Sequence, residues 1–507
     1  MTLAHDLDLW LRGQVGGDGG VQVHETPAAK VFVGRACVLK IKKPVDFGFL
    51  DFTTLEKREW AIRRELAFNR QAAPDLYRRV HAIVRTPSGA FALQDGALLA
   101  AGGEVVEWAL EMRPFAGPVL SDQPERVDGL LAERLGRETA RLHAHAPISK
   151  ARKGSASLAY VQTSNAQQLR SLGDRLDQNA VERLIAASRD ALDALAPRLD
   201  RRSDDGLMRR CHGDLHLGNI VVEGDRPILF DAIEFNDALS EIDVAYDLAF
   251  LLMDLGFRGR PDAANRVLNA WADEAARSLG DAAWESLALL PLCQAMRAAV
   301  RAHVSGHAGD PERAKAYVAA GLGHLTAPPP ALFAVGGFSG VGKSTFARAL
   351  APTLGRAPGA VVLRTDEIRK RQWGAGPKDR LPPDAYGPEP STAVYAEMLR
   401  TARLCLGQGW AVGLDAAFLT RPERKAAEAL AKDLALPFDG IWLEAPPYVL
   451  RRRLRDRRDD ASDADEAVLD RQLARDIGEV RWRRVDVADE GGAPPDRRRQ
   501  TAKKPNR

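Results

Sequence analysis

The sequence predicts two domains in series: an α+β first half and an α/β second half built on a parallel sheet. Three observations lead there. At 507 residues the chain exceeds one ordinary hydrophobic core. Two unrelated motifs lie far apart in it, Cys211-His212-Gly213-Asp214-Leu215-His216-Leu217-Gly218-Asn219-Ile220 and Gly337-Phe338-Ser339-Gly340-Val341-Gly342-Lys343-Ser344. Between them, Pro328-Pro329-Pro330 marks the place where helical patterning gives way to strands and helices in alternation.

The elements follow in order. Residues 1 to 110 mix short β-rich runs with one helix. Val31-Phe32-Val33 and Cys37 to Ile41 read as paired strands about Gly34-Arg35, and Phe52 to Ala72 as a charged amphipathic helix. Residues 116 to 325 are mostly helical, with apolar residues at helical spacing in Glu133 to His145, Ala180 to Leu195, Ala263 to Leu279 and Glu312 to Leu325. Consecutive prolines make 326–330 a linker, since they cannot continue a helix. In 331–490, Ala331 to Val335, Ala360 to Leu363, Ala411 to Leu414 and Ile441 to Leu443 read as strands. Lys343 to Leu354, Pro390 to Leu406 and Pro422 to Leu434 read as the helices between them. The tail, 491–507, is rich in Gly, Pro and basic residues and is expected to be disordered.

Composition narrows the class. With 45% hydrophobic and 28% charged residues the chain is an ordinary globular protein, and a net charge of +3 gives it no global attraction for polyanions. Cys37, Cys211, Cys293 and Cys405 are scattered, without a CxxC pair or zinc spacing, which fits a reducing compartment. Met1 to Leu11 lacks the order of a signal peptide, and Leu248 to Phe257 contains Asp254 and is too short to span a membrane. The expectation is a cytoplasmic protein without a membrane anchor or an obligate protein partner.

The first motif carries the residue types that phosphoryl transfer needs. One Asp must sit beside an acceptor hydroxyl, and an Asn must reach a metal on the nucleotide phosphates. Asp214 and Asn219 have that D-x-x-x-x-N spacing. A second metal-holding Asp is expected at the end of the next strand, where Pro227-Ile228-Leu229-Phe230 is followed by Asp231. Asp243 and Asp247 come next on an expected helix, placed to brace the loop from behind. A zinc site built from His212, Asp214 and His216 is the competing reading, and it leaves Asn219 and Asp231 unexplained.

These residues, with Tyr246-Asp247-Leu248-Ala249-Phe250, resemble the aminoglycoside phosphotransferase and choline kinase superfamily, which has a protein-kinase-like fold. The resemblance implies Asp214 as catalytic base, with Asn219 and Asp231 as metal ligands. In Val38-Leu39-Lys40-Ile41 it implies Lys40 as the phosphate-binding lysine, with Lys42 on the same strand face as its rival. It implies Glu65 as the helix partner of that lysine, ahead of Glu59, and Glu111-Met112-Arg113-Pro114 as the adenine hinge. The chain departs from the wider kinase pattern in two places. Thr26-Pro27-Ala28-Ala29 stands where a G-x-G-x-x-G loop is expected, and Ala232-Ile233 follow Asp231 in place of Phe-Gly.

The second motif is a P-loop in its required context, after a strand and opening a helix. Its glycines let backbone N–H groups crowd around phosphate oxygens, and the helix N-terminus adds positive potential. Gly337, Ser339, Gly340, Val341, Gly342, Lys343, Ser344 and Thr345 form the expected nucleotide cradle, Ser344 offering its hydroxyl to magnesium. In Thr365-Asp366-Glu367-Ile368-Arg369, Asp366 and Arg369 lie one turn apart, so that the carboxylate takes a proton from an acceptor hydroxyl while the guanidinium holds the phosphate. Asp415 ends the third strand in Walker-B manner, near magnesium or the acceptor. Leu450 to Arg458 packs six arginines into nine residues, with Arg453 and Arg457 on one helical face. This half resembles small P-loop kinases of the polynucleotide kinase, gluconate kinase and zeta-toxin type. The resemblance implies a lid carrying Arg453 and Arg457, followed by Ser462-Asp463-Ala464-Asp465.

In this order the two halves resemble a bacterial family of fused phosphotransferase and P-loop kinase proteins. The resemblance covers the chain to about residue 488 and includes Lys42 to Phe52 and Ala73-Pro74-Asp75-Leu76-Tyr77. It implies two modules that use ATP and Mg2+ to phosphorylate a hydroxyl of a small molecule or of a nucleic-acid end. The alternative from another class is an ATPase switch, in which one module is a catalytically silent nucleotide sensor.

Overall fold

The computed structural model describes residues 3–16, 20–48, 50–97, 103–326, 328–456 and 462–488. The chain packs as two compact units. One comprises the described residues of Met1–Arg134, Arg141–Gln167 and Asp190–Asp254; the other comprises those of Leu135–Ala140, Gln168–Arg189 and Leu255 onward.

The first unit is built on a six-stranded antiparallel sheet. Its strands are β1 (Gln22–Glu25), β2 (Ala29–Val33), β3 (Val38–Lys42), β4 (Tyr77–Arg85), β5 (Phe91–Asp95) and β6 (Glu104–Met112), in the order β1-β2-β3-β6-β4-β5. The pairing of β2 with β3 sets Val31 opposite Lys40. Because side chains alternate along a strand, Leu39 and Ile41 enter one core while Lys40 and Lys42 share the other face. The helix expected from Phe52 begins at Leu55, since the Thr54 side chain accepts the Lys57 N–H and caps it there. Similarly, Asp128 caps helix Gly129–His145 through the Leu131 N–H, four residues before the expected start. Short strands β7 (Met208–Arg210), β8 (Ile220–Glu223), β9 (Arg226–Leu229) and β10 (Glu241–Asp243) frame the first motif. β8 and β9 form a hairpin that ends just before Asp231, and β10 pairs with β7.

The second unit holds a five-stranded, wholly parallel sheet: β11 (Leu332–Gly336), β12 (Val361–Arg364), β13 (Val412–Asp415), β14 (Phe438–Glu444) and β15 (Arg483–Asp486), in the order β12-β13-β11-β14-β15. β15 is absent from the sequence expectation. Its Arg-Arg-Val-Asp run is largely exposed at the sheet edge and carries no apolar pattern. The helix after the P-loop stops at Leu350 rather than Leu354, giving way to a 3₁₀ turn at Ala351–Thr353 that contains Pro352. The expected disordered tail lies outside the described residues.

Helix Pro261–Leu279 belongs to this second unit and covers its edge strand. Asn269 Oδ1 accepts the Val362 N–H at 2.7 Å, and Asn265 Nδ2 donates to the Ala360 carbonyl at 2.9 Å. The side chains thus supply the hydrogen bonds that a further strand would make. Close by, buried Trp410 donates its indole N–H to Leu287 O at 2.8 Å, and Arg371 pairs with Asp273 at 2.5 Å.

Candidate active sites

In the first unit one buried carboxylate organises the lysines. Glu65, wholly enclosed, lies 2.7 Å from Lys40 Nζ through Oε1 and 2.7 Å from Lys42 Nζ through Oε2. Lys40 also reaches Asp231 Oδ1 at 2.6 Å, and Lys42 reaches Glu234 Oε1 at 2.5 Å. The two lysines that the sequence sets up as rivals therefore share one partner. Burial by itself would lower the Lys40 pKa, but Asp231 and Glu65 raise it well above the usual value. Burial likewise opposes ionisation of Glu65, yet Lys40 and Lys42 hold its carboxyl down at about 2. Glu59 instead pairs with Arg63 on the same helix.

Asp231 adopts a left-handed backbone, φ 62°, uncommon for a residue with a side chain. Two long-range contacts fix it there: Tyr77 Oη accepts the Asp231 N–H at 3.0 Å, and Asn69 Oδ1 accepts that of Ala232 at 2.8 Å. The Asp214 loop is held from behind as expected. Asp247 accepts the backbone N–H groups of His212 and Gly213 at 3.1 and 2.8 Å, and it also meets His143 Nε2 at 3.1 Å. Asp243 is instead the buried partner of Arg202, at 2.8 Å. Asn219 Nδ2 donates to both the carbonyl and Oδ2 of Asp214, each at 2.9 Å. This turns its amide nitrogen toward Asp214 and leaves Oδ1 as its oxygen donor.

The zinc reading fails on geometry. Both ring nitrogens of His212 are engaged, Nε2 with Phe230 O at 2.9 Å and Nδ1 with the Asp214 N–H at 3.4 Å. His216 Nδ1 accepts the Gly218 N–H at 2.9 Å. Among the described residues, the cluster with metal-ligand proximity is His143, Cys211 and Asp247, whose Asp already serves the loop. In the expected hinge, Glu111 is engaged by His81 at 2.7 Å, and Arg113 pairs with Glu223 at 2.8 Å.

The second site is local. Between β11 and helix Lys343–Leu350, Gly337, Gly340 and Gly342 take φ values of 142°, 83° and 98°. A Cβ on Gly340 would lie 2.7 Å from Leu450 O, so backbone conformation and close approach both demand glycine there. Lys343 Nζ donates to Gly337 O and Phe338 O at 3.0 and 3.1 Å. A cleft of about 1300 Å³ runs from this loop and is lined by Ser339, Ser344, Thr345, Asp366, Arg369, Asp415 and Arg453. Val341, expected in the cradle, turns its side chain into the core.

Several of these side chains already have partners. Asp415 is buried and held by Arg364 Nε at 3.2 Å, and Arg364 also grips Glu367 at 3.0 Å. Arg369, expected to hold the phosphate, donates instead to Ala385 O at 2.5 Å and stacks on Tyr386, which ties it to the turn Pro383–Tyr386. Arg453 reaches across to Val341 O at 3.2 Å and Val487 O at 2.7 Å. Arg457 lies outside the described residues. Asp463, from the segment expected after the lid, accepts from Tyr386 Oη at 2.6 Å, Leu381 N at 3.1 Å and Lys370 Nζ at 3.3 Å. Arg364 and Glu234 were not legible as site residues. The first reads as a strand position, and the second lies nearly two hundred residues from its partner.

Comparison with known proteins also divides the chain in two, with the first match running past Asp254 into the second unit. Residues 56–290 match the phosphotransferase enzyme family, and residues 332–476 match the AAA domain family. Uncharacterized proteins of Mycobacterium tuberculosis and Mycobacterium bovis are 31% identical over 488 residues, spanning 92% of this chain and 92% of theirs. Among solved structures, similarity extends to a gluconokinase from Sinorhizobium meliloti (24% identity, 32% of this chain and 85% of that one, TM-score 0.22). It also extends to a choline/ethanolamine kinase family protein from Mesorhizobium loti (14%, 63% and 99%, TM-score 0.33). No described helix is long and apolar enough to cross a membrane.

Proposed function

The chain belongs to the family that fuses an aminoglycoside-phosphotransferase-like domain to a P-loop NTPase domain, and on that premise we propose that both modules transfer the γ-phosphate of ATP to hydroxyl acceptors. It is an ATP-binding phosphotransferase with two nucleotide-binding modules. In the first, Asp214 takes the proton of the acceptor hydroxyl as its oxygen bonds to the γ-phosphorus. The bond from that phosphorus to the β–γ bridging oxygen breaks, and ADP leaves. Lys40 meets the phosphates. Asn219 Oδ1 and the part-exposed Asp231 carboxylate are hard oxygen donors suited to Mg2+. Magnesium, when bound, would neutralise phosphate charge. The hydrogen bonds from Asn219 to Asp214 carry this reading, because one side chain both orients the base and keeps its amide oxygen for a cation.

In the second module the cradle from Gly337 to Thr345 binds the triphosphate, with Ser344 and Asp415 as oxygen donors for a cation. Asp366 is the base, and Arg369 orders the acceptor wall through Ala385 and Tyr386. Arg453 and Arg457 are assigned the neutralising of charge on the transferring phosphoryl group. The acceptor is a small molecule or a nucleic-acid end bearing a hydroxyl, and four cysteines in thiol form support a cytoplasmic setting.

The test is transfer of labelled γ-phosphate from ATP to a panel of sugars, amino alcohols and 5′-hydroxyl oligonucleotides, with hydrolysis followed in parallel. A labelled acceptor whose formation is lost in Asp214→Asn or Asp366→Ala supports the reading. Robust hydrolysis with no acceptor labelled would favour the ATPase switch.

A further inference from the structure

We propose that Lys42 and Glu234 are positioning residues of the first site, holding the second oxygen of Glu65 so that Lys40 keeps its place when a nucleotide phosphate draws it from Asp231. The inference rests on reading Lys40 as the nucleotide lysine. It begins with an arrangement that a simple lysine–glutamate pair does not need. Two lysines, two residues apart on β3, point into the same enclosed space, and their like charges repel. Three carboxylates answer them: Asp231 on Lys40, Glu234 on Lys42, and Glu65 between the two. Lys42 is the more deeply enclosed lysine, its side chain 5% exposed, and the Phe52 ring closes over it at 5.2 Å.

The two lysines differ in what a nucleotide would do to them. Asp231 is 43% exposed and lies on the side where the nucleotide is read to bind, so the Lys40–Asp231 contact is the one open to exchange. Glu234 is 5% exposed, and its pair with Lys42 is sealed from exchange. When Lys40 gives up Asp231, Glu65 becomes its remaining anchor among the carboxylates that hold it here. A carboxylate held at one oxygen is free to turn about its Cγ–Cδ bond, whereas one held at both is not. Lys42, itself fixed by Glu234, supplies the second hold. The chain also lacks a G-x-G-x-x-G loop ahead of Lys40, having Thr26-Pro27-Ala28 in the turn between β1 and β2, so the lysine's placement falls the more on this cluster.

A purely structural ion pair and a positioning pair predict different things. Replacing a buried ion pair with apolar side chains of similar volume is often neutral or stabilising, so a structural pair can be exchanged without cost to function. The experiment uses the full chain carrying Lys343→Ala, so that nucleotide binding reports the first site, and measures the Kd of Mg-AMP-PNP by calorimetry beside the melting temperature. Lys42→Leu/Glu234→Leu is expected to stay folded, with any loss in melting temperature modest, while the Kd rises about tenfold. An unchanged Kd in that variant overturns the proposal. Should the double variant fail to fold, Glu234→Gln decides: it keeps a hydrogen-bonding partner for Lys42 but not the charge. The expected Kd rise there is about threefold, and a parental Kd overturns the proposal. Lys40→Ala separates the two levels of the argument. If it leaves the Kd unchanged, the reading of the first site fails. If it raises the Kd while the Lys42/Glu234 variants do not, only the positioning role fails.

Discussion

The lysines read as meeting the nucleotide in the two modules are held by opposite means. Lys343 rests on the carbonyl oxygens of Gly337 and Phe338, within its own loop. Lys40 rests on the carboxylates of Glu65 and Asp231, the second 191 residues away along the chain. A P-loop stores its geometry in backbone conformation over eight residues, whereas the first site stores it in an ion-pair cluster that only tertiary packing assembles. The placement of Lys343 should therefore be sensitive to backbone strain and, resting on carbonyls, indifferent to acid, whereas that of Lys40 should answer to the protonation of its carboxylates.

The largest expected effect falls on chemistry in the first site. Asp214→Asn should lower phosphoryl transfer there by about 10² to 10⁴-fold, the usual scale for removing a general base, while Mg-ATP affinity holds in a titration. Equal losses in affinity and rate would show that the residue supports the fold instead. For the P-loop, Gly340→Ala places a side chain at φ 83° against Leu450 O. The left-handed backbone alone costs about 1–2 kcal/mol. Nucleotide binding at the second site should collapse with the first site untouched, and calorimetry that still finds both sites occupied would refute a backbone-stored geometry.

Acid should test the anchor of Lys40 next. Glu65 has a folded pKa of about 2 against an ordinary 4.5, depressed by the two lysines against the pull of burial. A depressed carboxylate contributes stability that is complete above about pH 4.5 and is lost as the pH falls toward 2. Unfolding of the first unit between those limits should steepen with falling pH, and Glu65→Gln should flatten that slope. A slope unchanged by the substitution would place the acid sensitivity elsewhere. The smallest effect concerns the edge of the parallel sheet. Asn269→Ala leaves the Val362 N–H without its partner and should cost about 1 kcal/mol in urea unfolding. A fragment beginning at Pro330 loses the whole helix and exposes Trp410, so it should unfold at distinctly lower urea than the full chain's second unit. Equal midpoints would mean that the helix merely rests against β12.

The same contrast explains what the sequence made legible. The P-loop, its strand and its helix are contiguous, so motif and context were readable together. Asp214, Asn219 and Asp231 span eighteen residues and a hairpin, and kinase spacing was enough to propose them. Lys40 and Glu65 needed a family resemblance, because a lysine on a strand and a glutamate on a helix carry no joint signal. The resemblance points to Lys40 over Lys42, and no spacing rule announces that Glu65 binds both. Tyr77, Asn69 and Glu234 act across long stretches of chain with no spacing rule to announce them. The covering of β12 by helix Pro261–Leu279 was hidden for a similar reason. Asn265 and Asn269 read as polar positions on a helix until the strand edge they satisfy is seen.

The central claim is that one chain carries two nucleotide sites, and calorimetric stoichiometry with Mg-AMP-PNP tests it most directly. The wild-type chain should bind two equivalents. Lys343→Ala and Lys40→Ala should each bind one, and the double variant none. A single equivalent in the wild-type chain, or two persisting in either single variant, would contradict it.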